Sequence, residues 1–304
     1  MNIVVLAGGD GPERSVSLVS GRSVAAALRK KHHVTILDPE DRTFLRKLLA
    51  ARPDCVFVAL HGGKGESGVI QGFLETLGLP YTGSGVLASA LCMNKILTKK
   101  ILLFNKIPTP KFLELARGKL PEKFPFSYPA VVKPACLGST IGITVVRKPS
   151  EFKKAVKEAY RYDNSVFVEQ FIAGTEITIG LLGNDKPIIL PPIEIRTERA
   201  LYDFTAKYEK GCSVHIIPPQ LPETFIARAR AVALKTYQAL GCAGCARMEI
   251  IVTRSGNLYV LDVNTIPGFT SVSLLPDAAR HAGIPFDRLC EMLIDYGLER
   301  CGKS

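Results

Sequence analysis

Short apolar runs alternate with longer helical patterns over the first sixty residues. Ile3 to Ala7, Val34 to Leu37 and Cys55 to Leu60 read as strands, with helices over about Ser15 to Lys30 and Phe44 to Ala51 between them. Strand and helix alternating in this way predict a parallel βαβαβ unit, whose ligands sit beyond the carboxyl ends of the strands. Helical patterns follow over about Val69 to Leu77 and Gly85 to Phe104, and Pro108-Thr109-Pro110 then breaks the chain. Beyond the break the pattern becomes α+β. Strands are expected at Lys111 to Leu115, Pro129 to Pro134, Gly142 to Val146 and Val166 to Glu169, with a helix from Ser150, its N-cap, to Tyr160. Ile177 to Leu182 and Pro187 to Leu190 continue as strands, and a helix spans about Pro222 to Leu240. Helices over about Ser273 to Ala282 and Pro285 to Glu299 close the chain. The stretch Arg199 to Gly211 fits neither period. It is polar and aromatic, as lids and binding loops are.

Between those last helices and the helix before them lies the stretch richest in chemistry, Cys245 to Ser271. Arg247 to Val252 and Leu258 to Asn264 are apolar and β-branched, and Arg254-Ser255-Gly256-Asn257 is a turn signal. The pattern predicts an antiparallel hairpin. Alternation puts Arg247 and Glu249 on one face of the first strand, and Asp262 and Asn264 on one face of the second. Two carboxylates and a carboxamide can then converge on a hard cation such as Mg²⁺, which is usually completed by waters and phosphate oxygens. Asn264-Thr265-Ile266-Pro267-Gly268 runs from strand into a turn able to offer backbone N–H groups to an anion.

Glycine-rich turns add to this picture. One is Gly8 to Arg14, after the first strand. Another is His61-Gly62-Gly63-Lys64-Gly65-Glu66-Ser67-Gly68, after the third, with His61 at the mouth of the strand as a ligand contact. A third, Pro134 to Thr140, follows Lys133 and can fold over phosphates. Gly9-Asp10-Gly11 lacks the third glycine of a dinucleotide fingerprint. The literal P-loop match at Gly297 to Ser304 follows a helix rather than a strand, so it is chance.

At 304 residues with 47% hydrophobic content, the chain suffices for two or three domains. No apolar stretch approaches the roughly 18 residues of a membrane helix, and MNIVVLAGGDGPE is not a signal peptide, so a cytoplasmic location without membrane attachment is expected. Eight scattered cysteines then read as reduced thiols, and the lone Cys242-Ala243-Gly244-Cys245 as structural. The net charge of +11 comes from dispersed Lys and Arg with no basic run of five. A polyphosphate substrate accounts for part of it without a nucleic-acid partner.

The ordered motifs together resemble the D-alanine–D-alanine ligase family of the ATP-grasp superfamily over nearly the whole chain. They are Gly8-Gly9 with Glu13-Arg14-x-Val16-Ser17, His61-Gly62 with Gly65-Glu66-x-Gly68, Met93-x-Lys95, Val132-Lys133-Pro134 with Gly138-Ser139, Glu169 with Glu176, Tyr202-Asp203 with Ala206-Lys207-Tyr208, and Asn264-Thr265-x-Pro267-Gly268-x-Thr270. The resemblance implies an ATP-grasp fold in three parts. Residues 1–93 would form an N-terminal parallel-sheet substrate domain and 94–180 a central domain with a glycine-rich lid. Residues 181–304 would form a C-terminal domain with the metal hairpin and an omega-type loop, the last two parts sandwiching ATP. It also implies a homodimer, and a dipeptide product destined for peptidoglycan precursors. The implied reaction has two steps: ATP phosphorylates the carboxylate of one D-alanine, and the amine of a second attacks the acyl phosphate. The nearest alternatives are an ATP-grasp ligase for other amino acids and a nucleotide-binding protein without chemistry.

Residue roles follow from the same resemblance. Lys95, Lys133, Ser139, Glu169, Ile172, Glu176 and Lys207 would bind ATP, with Glu169 near the adenine amino group and Glu176 on the ribose. Glu249, Asp262 and Asn264 would hold two Mg²⁺ or Mn²⁺ ions. Glu13 would take the first substrate's ammonium, with His61 beside it. Arg247 and the Gly268 N–H would stabilise the oxyanion, and Ser273 with Leu274 would hold the second substrate's carboxylate. Glu13, Ser139 and Tyr208 would form a hydrogen-bonded triad between domains, and the tyrosine goes with an amine nucleophile. In the family the first metal acid is usually Asp and the second Glu. Glu249 and Asp262 invert that order, which predicts altered metal affinity or preference, and Cys136-Leu137 replaces residues that are commonly polar or glycine.

Overall fold

The structure is a computed structural model of the chain and describes residues 1–121, 124, 126–138, 140–196 and 214–302. Strands β1 (Asn2–Leu6), β2 (His33–Leu37) and β3 (Cys55–Val58) form a parallel sheet in the order β2-β1-β3, with helices α1 (Arg14–Leu28) and α2 (Phe44–Ala51) as the crossovers. β3 and, after Asn2, β1 are continuous apolar runs because both sheet faces are covered there, while the edge strand β2 carries His33 and Thr35. The glycine turn after β3 folds into a single helical turn, α3 (Gly63–Glu66), followed by α4 (Val69–Thr76).

The expected helix over 85–104 is two helices, α5 (Val86–Met93) and α6 (Lys95–Phe104). Asn94 is extended (φ −90°, ψ 96°), and its side chain accepts the Leu97 N–H at 3.1 Å. Asparagine as an N-cap outcompetes helix continuation, and it places Lys95 and Lys99 one turn apart at the start of a new axis.

The central part is an antiparallel sheet in the order β4-β7-β5-β6: β4 (Phe112–Leu115), β5 (Ala130–Pro134), β6 (Thr144–Val146) and β7 (Val166–Gln170), backed by α7 (Pro149–Ala159). Ser150 is not the cap of α7. Lys148 holds that position, and Pro149, whose fixed φ suits a first helical turn, begins the helix.

A six-stranded sheet follows, β11-β10-β8-β12-β13 with β9 on β8: β8 (Thr175–Leu182), β9 (Ile188–Ile189), β10 (Ile193–Arg196), β11 (Val214–Ile216), β12 (Cys245–Val252) and β13 (Leu258–Asn264). Helix α8 (Glu223–Ala239) buries Ala229, Ala233 and Tyr237 against Ile177, Ile179, Met248, Ile250 and Val260. The remaining helices, α9 (Leu274–His281) and α10 (Phe286–Gly302), pack Leu275, Leu289 and Leu293 with Ile3, Val5 and Phe57, so the end of the chain closes the first sheet. The literal P-loop residues 297–302 are the last turns of α10, as a chance match requires.

Candidate active site

The cleft is built by alternation. Along β12, Ala246, Met248, Ile250 and Val252 enter the core, which turns Arg247, Glu249 and Ile251 to the opposite face. On β13 the phase changes partway. Leu258 and Val260 are core residues, but so is Val263, because the register slips at a bulge between Glu249 and Ile250. The bulge turns Asp262 and Asn264 to the cleft, opposite Glu249 and Arg247 respectively. The expected convergence of these four side chains is therefore present, and it depends on that bulge.

This face and the inner strands β5 and β7 of the central sheet enclose a cavity of about 380 Å³. Lys95, Lys133, Glu169, Ile172, Glu176, Glu249 and Asp262 line it, with Leu137, Gly138 and Thr140 from the glycine loop. Asn264 lines a smaller neighbouring space with Glu66, Lys95 and Asp262. Ser139, Lys207 and Tyr208 lie outside the described residues. So does the whole aperiodic stretch 199–211.

Cations and carboxylates of the cleft meet directly. Lys95 donates to the Leu137 carbonyl at 2.9 Å and lies 3.3 Å from Asp262. Arg247 donates to Thr178 Oγ1 at 3.0 Å and pairs with Glu249 at 3.0 Å. Glu169, 2% exposed, is held between Lys133 and Lys99, the latter at 2.7 Å. Burial pushes the Glu169 carboxyl up, but the two ammonium groups outweigh it and hold it below the usual carboxylate value. Lys99 has no feature in the sequence that marks it beyond one more lysine on a helix.

Beyond the inner end of the cavity lies a second group. Glu13 is 5% exposed, and a Cβ on Gly138 would come within 2.8 Å of Glu13 Oε2, so only glycine lets the loop approach. His61 Nε2 lies 3.2 Å from Ser20 Oγ, which accepts the Phe269 N–H at 3.1 Å. Burial lowers the His61 pKa and favours neutral imidazole. Ser273 Oγ accepts the Thr270 N–H at 3.0 Å and stands where a Cβ on Gly268 would be, 2.5 Å away. The Leu274 side chain is buried in the core, so its offer to a ligand is its backbone N–H in the first turn of α9.

Glu66, which the Gly65-Glu66-x-Gly68 motif names without giving it a role, is a further buried acid. Its Oε2 accepts the Gly62 N–H at 2.9 Å, and burial followed by the charge of Glu13 pushes its carboxyl up to about 8. Since the folded value lies above the unfolded one, the stability it contributes is complete below about 4.5 and is lost as pH rises through about 8. Glu66→Gln keeps an acceptor for Gly62 and removes the ionisation. We expect it to raise Tm by about 5 °C at pH 8.5 and by little at pH 5 in paired thermal melts. A Tm difference independent of pH would dismiss the assignment.

The metal reading fits the donor set. Among the described residues no group of three or more His, Cys, Asp or Glu side chains can hold an ion. The two carboxylates and Asn264 leave the remaining positions of a hard cation to phosphate oxygens and water. The CxxC thiols are buried. Cys245 is pushed up to about 12 by burial, and Cys242 Sγ lies 3.9 Å from Cys92 Sγ.

A family model described as D-ala D-ala ligase C-terminus matches residues 105–295, and one described as D-ala D-ala ligase N-terminus matches residues 40–84. The chain belongs to the D-alanine–D-alanine ligase family. A D-alanine–D-alanine ligase of Moorella thermoacetica is 48% identical over 98% of this chain and 100% of its own length. One of Pelotomaculum thermopropionicum is 45% identical over 99% and 98%. The crystal structure of the Bacillus anthracis ligase complexed with ATP matches at a TM-score of 0.87 with 32% identity, covering 100% of this chain and 99% of that one. The ligase structure of Coxiella burnetii matches at 0.85 with 28% identity, covering 99% and 94%. The family's ATP-grasp fold is the architecture described above. Among the described residues no helix is long and apolar enough to cross a membrane.

Proposed function

We propose that this chain ligates two D-alanines at the expense of ATP, through an acyl phosphate, for peptidoglycan precursors. The observation that carries the reading is the proximity of two groups: Gly138, which lines the cavity with Lys95 and Lys133, closes on buried Glu13, and Glu249, which lines it with Asp262, pairs with buried Arg247. ATP lies in the cavity with its phosphates on Lys95 and Lys133, its adenine beside Glu169 and Ile172, and its ribose on Glu176. Glu13 receives the ammonium of the first substrate, with His61 behind it. The carboxylate of that substrate is turned to the γ-phosphate. Ser273 and the Leu274 N–H hold the second substrate's carboxylate, which orients its amine to the acyl phosphate. Arg247 and the Gly268 N–H stabilise the oxyanion that this attack creates. Phosphate then leaves.

Glu249, Asp262 and Asn264 would hold two Mg²⁺ or Mn²⁺ ions, which when bound neutralise phosphate charge. Lys207, Ser139 and Tyr208 complete the proposal as γ-phosphate ligand and interdomain triad, and Tyr208 favours an amine nucleophile. Functional units at 1–93, 94–180 and 181–304, a homodimer and a cytoplasmic location belong to the same proposal, with β8 running across the second limit.

The test is ADP and phosphate release with Mg²⁺ and ATP, comparing D-alanine, L-alanine, D-lactate paired with D-alanine, and no amino acid. Product is identified by mass. Turnover with D-alanine alone, yielding D-alanyl-D-alanine, is expected. A depsipeptide made in preference to the dipeptide would overturn the role given to Tyr208, and silence with D-alanine would overturn the substrate.

A further inference from the structure

Among the described residues Lys99 is the most enclosed charged side chain, 1% exposed, and none of the roles above uses it. Its ammonium lies 2.7 Å from Glu169 Oε2, donates to Thr109 Oγ1 at 2.7 Å, and sits 5.8 Å from the centre of the Phe112 ring. The other Glu169 oxygen belongs to Lys133. Thr109 in turn donates to the Val260 carbonyl at 2.9 Å, and the Val260 N–H donates to the Pro108 carbonyl at 2.8 Å. Lys99 thus joins α6, β7, the Pro-Thr-Pro linker and β13, two residues before Asp262.

We propose that Lys99 is a positioning residue of the nucleotide site: by holding one oxygen of Glu169 it leaves Lys133 only the other and a share of the carboxylate's charge, so that the surplus positive charge of Lys133 serves a phosphate. The inference rests on reading this cavity as the ATP site. Two lysines around one glutamate leave one positive charge in surplus. Without Lys99 the remaining Lys133–Glu169 pair is neutral. Such a pair in a poorly hydrated interior is tight, because neither charge has water to turn to. A phosphate would then have to compete with Glu169 for Lys133. Thr109 matters for the same reason, since it fixes the ammonium on the Glu169 side of the linker.

The experiment uses the full chain and displacement of N-methylanthraniloyl-ADP by ATP, alongside steady-state KM for ATP and for D-alanine. Lys99→Met is expected to weaken ATP binding and raise its KM by about twentyfold, with the KM for D-alanine and kcat at saturating ATP within about threefold of wild type. In a Glu169→Gln background the same substitution is expected to cost less than about threefold, because Lys99 acts through Glu169. An ATP affinity within threefold of wild type in Lys99→Met, or an equal loss in both backgrounds, overturns the proposal.

If Lys99→Met alone does not fold by circular dichroism, the comparison of Glu169→Gln with the double variant decides. Removing both charges of a buried pair is better tolerated than removing one. A double variant more than tenfold weaker than Glu169→Gln overturns the proposal, and near-equality supports it. Lys133→Met separates the two levels of the argument. If Lys133→Met leaves ATP binding intact, the reading of the cavity fails; if it abolishes binding while Lys99→Met does not weaken it, only the role of Lys99 fails.

Discussion

Replacing Arg247 with methionine should lower kcat by about a thousandfold while leaving the affinity for ATP within about threefold. Methionine preserves the apolar stem of the side chain as far as the Nε position and removes every donor. The guanidinium is 7% exposed, anchored to Thr178 Oγ1 on β8 and to Glu249 two residues along its own strand. Those anchors fix it before any substrate arrives. A preorganised donor in a dry site acts on charge that develops during the reaction, and losing one such donor typically costs 10²–10³ in rate. A charged donor belongs at the upper end of that range, about 4 kcal/mol of barrier. The loss should appear in kcat rather than in KM, since the proposed ground-state contacts lie elsewhere, on Glu13 for the first substrate's ammonium and on Ser273 with the Leu274 N–H for the second's carboxylate. Steady-state ADP release at saturating D-alanine and Mg²⁺, beside nucleotide binding, checks this. A kcat within tenfold of wild type would remove Arg247 from the oxyanion role.

Much of this site is legible in the sequence because its parts lie on strands whose two faces differ. The alternation of Arg247 and Glu249 with Met248 and Ile250 assigns the β12 face without any structure. β13 is harder. Strict alternation from Leu258 would have continued through Val260 to Asp262 on the core face, and only the bulge, which local sequence does not announce, reverses it. Asn94 was hidden by the helical pattern on both sides, although asparagine is a capping residue. Ser150 misled for the complementary reason: a good capping residue lost to a proline one position earlier.

Long-range pairing accounts for the rest. Lys99 meets Glu169 across 70 residues of chain, by their numbers, and Glu66 owes its raised carboxyl to burial and then to Glu13 on another turn. Neither spacing carries a period. The fold class survived these misses because it depends on strand and helix order, whereas the site depends on which side chains the order brings face to face.

The carboxylates proposed to hold the metal give the other large effect. Glu249→Gln and Asp262→Asn should each reduce turnover by about a thousandfold, because each removes one of only two carboxylates from the donor set. The double exchange, Glu249→Asp with Asp262→Glu, should behave differently. The two residues are direct cross-strand partners, so lengthening one and shortening the other keeps the charge and moves the point between the carboxylates by about 1.5 Å, one C–C bond. In the native order that point lies nearer β13, where Asp262 already pairs with Lys95, while the longer Glu249 reaches across and is steadied by Arg247. A bound ion has to take both carboxylates from these cations. Relative to the Asp-then-Glu order usual in the family it is the native pair that displaces the donors, and Mg²⁺, which demands near-octahedral geometry at 2.0–2.1 Å, should feel that displacement more than Mn²⁺ does. We therefore expect the exchanged variant to keep turnover within tenfold and to raise the ratio of Mg²⁺- to Mn²⁺-supported activity at least threefold. Activation titrations with each ion, with Mn²⁺ binding followed directly by electron paramagnetic resonance, read both quantities. An unchanged ratio would mean that the inverted order of acids is neutral. The strands would then be accommodating the exchange, and the metal preference would be set by the phosphates rather than by the protein.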